Sequence, residues 1–272
     1  MIIPIIAAAS AYICGWYVFS RLALPKTARN VLAFHNVVKH AGPSITGVNP
    51  LLFRRMIAYL AASGYRGRRC GECVEAADLA ITFDDGLVDL FDNAIPYLEE
   101  HDFGATIFVV SEFVGKQSLW DYQKRLHLDW SQLRQLADRG YEIASHSATH
   151  RDLRGLSEKI LDHEITDSKK MLEDKLGVEI KHIAYPFGRF DKRVIEAVQR
   201  AGYAEGFALT EGAGPFARAR ICLYRYDSPF SLGLKLNGFW LESCKDYINN
   251  YLAGGTIVLN KYFRRENEAL PI

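Results

Sequence analysis

Leu79-Ala80-Ile81-Thr82-Phe83-Asp84-Asp85-Gly86 is an apolar run that stops at two adjacent carboxylates and a glycine. Its apolar part is too short for a helix and reads as a buried strand. Asp-Asp-Gly reads as the turn that ends it, because Asp bonds to nearby backbone and Gly accepts left-handed geometry. The same design recurs on both sides. Val31–Phe34, Ala105–Val110, Tyr141–Ser145, His182–Tyr185, Gly206–Leu209 and Ile221–Tyr224 are short apolar runs bounded by Gly, Pro or Asp. Between them lie stretches with apolar residues at helical spacing: Pro50–Ser63, Leu87–His101, Ser131–Arg139, Ser157–Leu176 and Lys192–Ala201. Gly140, Gly177 and Gly202 fall where helices should stop.

Strand–helix alternation of this kind predicts an α/β fold with a parallel sheet, open or closed into a barrel. In either form, functional groups collect at the carboxyl ends of the strands. His35 follows the first run, Asp84 and Asp85 the second, His146 the fourth and Pro186-Phe187-Gly188 the fifth. The second motif, His146-Ser147-Ala148-Thr149-His150, places two imidazoles four residues apart. With the aspartate pair it supplies one oxygen ligand and two nitrogen ligands, and one carboxylate to spare. A hydrolytic metal site needs that set: three protein ligands, an open position for water and a nearby base. His146 ends a strand and His150 lies in the loop beyond, so a turn must bring them together.

The bulk numbers narrow the alternatives. A hydrophobic content of 49% in 272 residues fills a sizeable core, and a net charge of +1 gives no strong field. No Lys/Arg run with interleaved aromatics appears, so nucleic-acid binding is set aside. Five cysteines, one of them in an apolar segment, do not read as a disulfide framework, and Cys70-Gly71-Glu72-Cys73 reads as a loop with two thiols. Ile2 to Ser20 carries no charge, and Arg21, Lys26 and Arg29 follow. That length approaches the ~20 residues needed to cross a hydrocarbon core. No positive region precedes it, so an uncleaved membrane anchor is preferred to a signal peptide. The expected organisation is an apolar helical segment over 1–25, a barrel over 26–230 and a tail over 231–272. That tail carries a helix at Leu241–Leu252 and a strand at Thr256–Leu259. The expected location is membrane-anchored, cell-envelope or extracellular. The side of the membrane is open, because the following basic residues favour the cytoplasm.

TFDDG, HSATH and YPFG, in this order, resemble the polysaccharide deacetylases of carbohydrate esterase family 4, the NodB-homology domain. The resemblance covers roughly residues 30–230. It implies a distorted (β/α)7 barrel that removes acetyl groups, N-acetyl above all, from a polysaccharide or glycan. It also implies that Asp85, His146 and His150 bind a divalent metal, Zn2+ by expectation, with Asp84 as catalytic base. The backbone N–H of Phe187, after Pro186, would face the oxyanion. Trp120, Tyr122 and Trp130 offer aromatic faces for sugar rings or for the core.

Two departures stand out. The family's acid histidine commonly ends a C-terminal Leu-x-Leu-His strand, but Ile257-Val258-Leu259-Asn260 stands there. Leu32-Ala33-Phe34-His35 fits the pattern at the other end. The chain is therefore most similar to the circularly permuted branch, which includes poly-β-1,6-N-acetylglucosamine deacetylases, with His35 as general acid. Ile183 stands where many members carry an arginine that orients the catalytic aspartate, and Arg220 is the substitute. Two rivals differ in class. A 2-His-1-carboxylate iron enzyme would leave Asp84 without a role and normally shows an HxD-type pair. The complete set of Asp84, Asp85, His146 and His150 argues against a catalytically inactive glycan-binding barrel, and the missing C-terminal histidine keeps that reading open.

Overall fold

The computed structural model describes residues 30–42, 44–118, 124–209, 214–239 and 242. The chain enters through β1 (Val31–Phe34), then β2 (Asn36–Val37) and β3 (Gly47–Val48), which pair with each other outside the main sheet. Next come α1 (Pro50–Ala62), β4 (Arg66–Arg68), β5 (Asp78–Phe83), α2 (Asp89–Asn93), α3 (Ile95–Glu99) and β6 (Thr106–Val109). The middle holds α4 (Trp130–Asp138), β7 (Glu142–Ser145), α5 (Glu158–Asp162), a π turn (His163–Asp167) and α6 (Ser168–Leu176). The last described part holds β8 (His182–Ala184), α7 (Lys192–Arg200), β9 (Glu205–Ala208), β10 (Arg218–Ala219), β11 (Ile221–Cys222) and α8 (Pro229–Leu236).

All pairings in the main sheet are parallel, in the order β10-β9-β8-β7-β6-β5-β1-β11. The two ends of this order are one stretch of chain. Residues 218–219 pair with β9, and residues 221–222 pair with Leu32 and Ala33 of β1. Residues 218–222 therefore close the sheet into a barrel of seven strand positions, interrupted at Arg220. Strand β4 lies off this path, against the first half of β5. This is the expected distorted (β/α)7 barrel.

Side chains alternate across each strand, as the two-residue period requires. Val31, Ala80, Phe108, Ala144, Ala184 and Phe207 form the cluster inside the barrel. Leu32, Phe34, Leu79, Ile81, Phe83, Ile107, Ile143 and Ile183 face outward into the layer beneath the helices. Both faces are buried, which is why the strands read as continuous apolar runs. Four alanines on the inner side (Ala33 among them) leave room near the axis for polar groups at the mouth.

The helices follow from local signals. Asn49 caps α1 by accepting from the Leu51 N–H at 2.9 Å, Pro50 stands at its first turn, and Phe53, Met56, Ile57 and Leu60 face the core. A capping box of Asp129 and Gln132 starts α4. The single helix expected over Leu87–His101 is divided into α2 and α3. Pro96 lacks the N–H that would continue the ladder, and the chain breaks at Ala94 (φ −118°). The helix expected over Ser157–Leu176 is continuous but carries the π turn.

The expected boundary at 230 falls inside α8, which belongs to the barrel. Its Lys235 is buried, donates to the Cys222 carbonyl at 2.7 Å and pairs with buried Asp227 at 2.9 Å. The apolar segment over 1–25, Trp120, Tyr122, most of Leu241–Leu252 and Thr256–Leu259 lie outside the described residues. Among those described, no helix is long and apolar enough to cross a membrane. Cys70 and Cys73 are free thiols. Burial first, and Glu142 second, push the Cys70 thiol well above its ordinary value, while burial raises Cys73 to about 11.

Candidate active site

The singled-out groups meet at the carboxyl ends of the strands. Asp84 and Asp85 leave β5 in opposite directions, because the backbone turns left-handed at Asp85 (φ 68°) and Gly86 (φ 65°). For an aspartate that geometry is uncommon but tolerated. A buried histidine, His127, holds the turn: its Nδ1 lies 2.8 Å from the Asp85 carbonyl oxygen. The Leu128 N–H adds a bond to the Gly86 carbonyl at 2.9 Å.

The HSATH loop folds back through two left-handed residues, Ser147 (φ 67°) and His150 (φ 57°). Ser147 Oγ accepts from the His150 N–H at 3.0 Å, and Ser145 Oγ from the Ser147 N–H at 3.2 Å. These turns bring the imidazoles together, with centroids 5.0 Å apart. His146 Nδ1 bonds to the Ala184 carbonyl at 2.9 Å. That bond needs a proton on Nδ1, so Nε2 presents its lone pair. His146 Nε2 is 3.7 Å and His150 Nε2 3.5 Å from the same oxygen, Asp85 Oδ1.

Such a donor set fits a cation. The separations are too long for hydrogen bonds and close to the ~3.4 Å between ligands that share one tetrahedral ion at ~2.1 Å. Burial holds the His146 imidazole down at about 4, with Asp84 opposing and Arg220 reinforcing. Burial, then His146, also keeps His150 well below its ordinary value. Neutral imidazoles are the form that ligates. Among the described residues, Asp85, His146 and His150 are the only group of three or more His, Cys, Asp or Glu side chains whose donor atoms converge in this way.

Asp84 stands apart from that triad. Arg220 grips it with two parallel bonds, Nη1 to Oδ1 at 2.6 Å and Nη2 to Oδ2 at 2.8 Å. The guanidinium is fully buried, lies 5.3 Å over the Phe108 ring and also donates to Thr82 Oγ1 at 3.2 Å. Burial opposes ionisation of Asp84, but Arg220, His146 and His35 together hold its carboxyl well below the usual range. His35 extends β1 into the mouth, 22% exposed, with Nε2 3.9 Å from Asp84 Oδ2.

Pro186 and Phe187 form a tight turn after β8, left-handed at Phe187 (φ 58°), whose ring sits edge-on to His150 at 4.7 Å. Trp130 opens α4 and packs against the outer core.

Two residues went unread in the sequence. His127 belongs to no motif, and Glu164 stands inside the stretch Ser157–Leu176 expected to be helical. Nothing local marks His127; for Glu164 the signal is a polar residue on the apolar side of its helix.

Fold and donor set together define a (β/α) barrel with a candidate metal centre at its strand ends. The chain belongs to the polysaccharide deacetylase family, whose model matches residues 71–206. It is 30% identical to Bacillus subtilis YxkH over 165 residues, 61% of this chain and 56% of that protein. It is 28% identical over 145 residues to Poly-beta-1,6-N-acetyl-D-glucosamine N-deacetylase of Staphylococcus aureus, 49% of this chain and 48% of the relative. The matched region is thus about half the length of these relatives. Among solved structures, the Streptococcus pyogenes deacetylase PplD superposes with a TM-score of 0.67 at 24% identity, over 76% of this chain and 97% of that one. IcaB from Ammonifex degensii gives 0.64 at 19% identity, over 78% and 97%. These two likenesses speak for the fold.

Proposed function

We propose that this chain is a metal-dependent deacetylase that removes N-acetyl groups from a polysaccharide built on N-acetylglucosamine. The observation that carries the reading is the division of labour at the end of β5. One carboxylate joins two histidines around a single point, and its neighbour is withheld from that point by a buried arginine.

Asp85, His146 and His150 would hold the cation, Zn2+ being the expected one, which supplies Lewis acidity that makes water nucleophilic near neutral pH. Asp84 then takes the proton from the attacking water. Arg220 fixes both Asp84 oxygens, so the base keeps one orientation. His35, partly exposed and 3.9 Å from Asp84, would protonate the departing nitrogen. The Phe187 N–H, on the strained turn beside His150, is assigned to the developing oxyanion.

The Staphylococcus aureus relative makes poly-β-1,6-N-acetylglucosamine the first substrate to try. An N-terminal anchor over 1–25 would keep the barrel beside a polymer made or exported at a membrane. Acetate release across a panel of acetylated glycans tests the assignment. Release from N-acetylglucosamine polymers supports it. A metal-loaded chain that binds these polymers and frees no acetate would be a binding module.

A further inference from the structure

The helix that passes behind the HSATH loop is not regular. Between α5 and α6 it widens into a π turn over His163–Asp167, with helical dihedrals at both junctions. Single π turns are rare and are frequently found at functional sites. This one delivers Glu164 to the loop by two routes. Its main-chain carbonyl accepts from the Ala148 N–H at 3.1 Å. Its carboxylate accepts from the Thr149 N–H at 2.8 Å and from the Thr149 hydroxyl. Glu164 is 1% exposed, and a carboxylate is almost never buried to that extent unless it is paired, as this one is with Thr149 and Arg151. Two further bonds tie the same helix down: Ser168 Oγ lies 2.9 Å from Ser145 Oγ, and the Ile165 carbonyl accepts from Tyr203 Oη at 3.0 Å.

Ala148 and Thr149 both lie between the two histidines, and the residues flanking this pair, Ser147 and His150, are the left-handed ones. A loop with two such residues keeps its shape only when its surroundings over-determine it. We infer that Glu164 is a positioning residue for the metal centre: its buried carboxylate, presented by the π turn, sets the HSATH loop so that His150 Nε2 meets His146 Nε2 and Asp85. This rests on the metal reading of that triad. Glu164 acts through Thr149 and touches no donor atom. Arg151 completes the clamp, donating to Thr149 Oγ1 at 3.2 Å and lying 3.8 Å from the Glu164 carboxylate.

The test is Zn2+ affinity of the full chain, stripped of metal and titrated in competition with a chromophoric chelator. Glu164→Gln keeps the shape but turns an N–H donor toward the Thr149 N–H or hydroxyl. Loss of an outer support of this kind typically weakens metal binding about 10–100-fold. That loss is expected for Glu164→Gln, with acetate release recovering at saturating Zn2+. Thr149→Val in the Glu164→Gln background should add little, because both act on one contact. Wild-type affinity in Glu164→Gln overturns the inference, as does a loss of activity that excess Zn2+ fails to restore. His150→Ala is the control. Wild-type affinity there removes the metal reading itself, and so separates its failure from that of Glu164.

Discussion

At the scale of the residue, the site sets two neighbouring aspartates in different surroundings, Asp85 with the two histidines and Asp84 with Arg220. The left-handed turn at Asp85 separates them, and each has its own holder, His127 for Asp85 and Arg220 for Asp84. Asp84→Asn should keep Zn2+ bound while acetate release falls by about 10²–10⁴, the usual worth of a general base. His35→Ala should do the same, by removing the acid; full activity would end its assignment. Arg220→Met leaves the Asp84 charge buried without its cation. Such a break costs about 3–5 kcal/mol, so urea unfolding should show a large loss of stability beside the loss of activity. Both motifs were legible in sequence because each is local and ends a strand. Arg220 was legible only as a substitute for an absent arginine, since its partner lies 136 residues away. His127 and Glu164 were not legible, because their contacts are made in space by loops and a helix irregularity.

At the scale of the element, six barrel strands and the closing segment answer to apolar runs visible in the sequence, since both faces of each are buried. β4 was missed because Arg66-Gly67-Arg68 is polar and sits off the ring, pairing only with β5. Its glycine has a reason: a Cβ there would lie 2.5 Å from the Phe103 ring. Helix α8 was divided by a boundary drawn where the family pattern ended, although Ser228 and Pro229 announce a helix start. Its Lys235 anchors it beneath Cys222. Lys235→Met should therefore destabilise the barrel by about 3–5 kcal/mol in urea unfolding, because Asp227 loses its buried cation. A neutral result would mean that α8 is an appendage.

At the scale of the whole molecule, fold closure and the hold on Asp84 share one segment. Residues 218–222 join the last strand to the first, and Arg220, at their centre, is the residue that holds Asp84. The barrel cannot open along that seam without disturbing Asp84. Metal should stabilise the whole, since an ion that binds only the folded chain raises its melting temperature with concentration. The stripped chain should therefore melt higher as Zn2+ is added, and His150→Ala should not respond. The most direct trial of the central claim is acetate release from poly-β-1,6-N-acetylglucosamine by the purified chain. It would be followed before chelation, after chelation and after Zn2+ is returned. Release that stops with the chelator, returns with Zn2+ and is absent from Asp84→Asn is the expected result. Release that continues after complete metal removal, or that Asp84→Asn leaves unchanged, would contradict it.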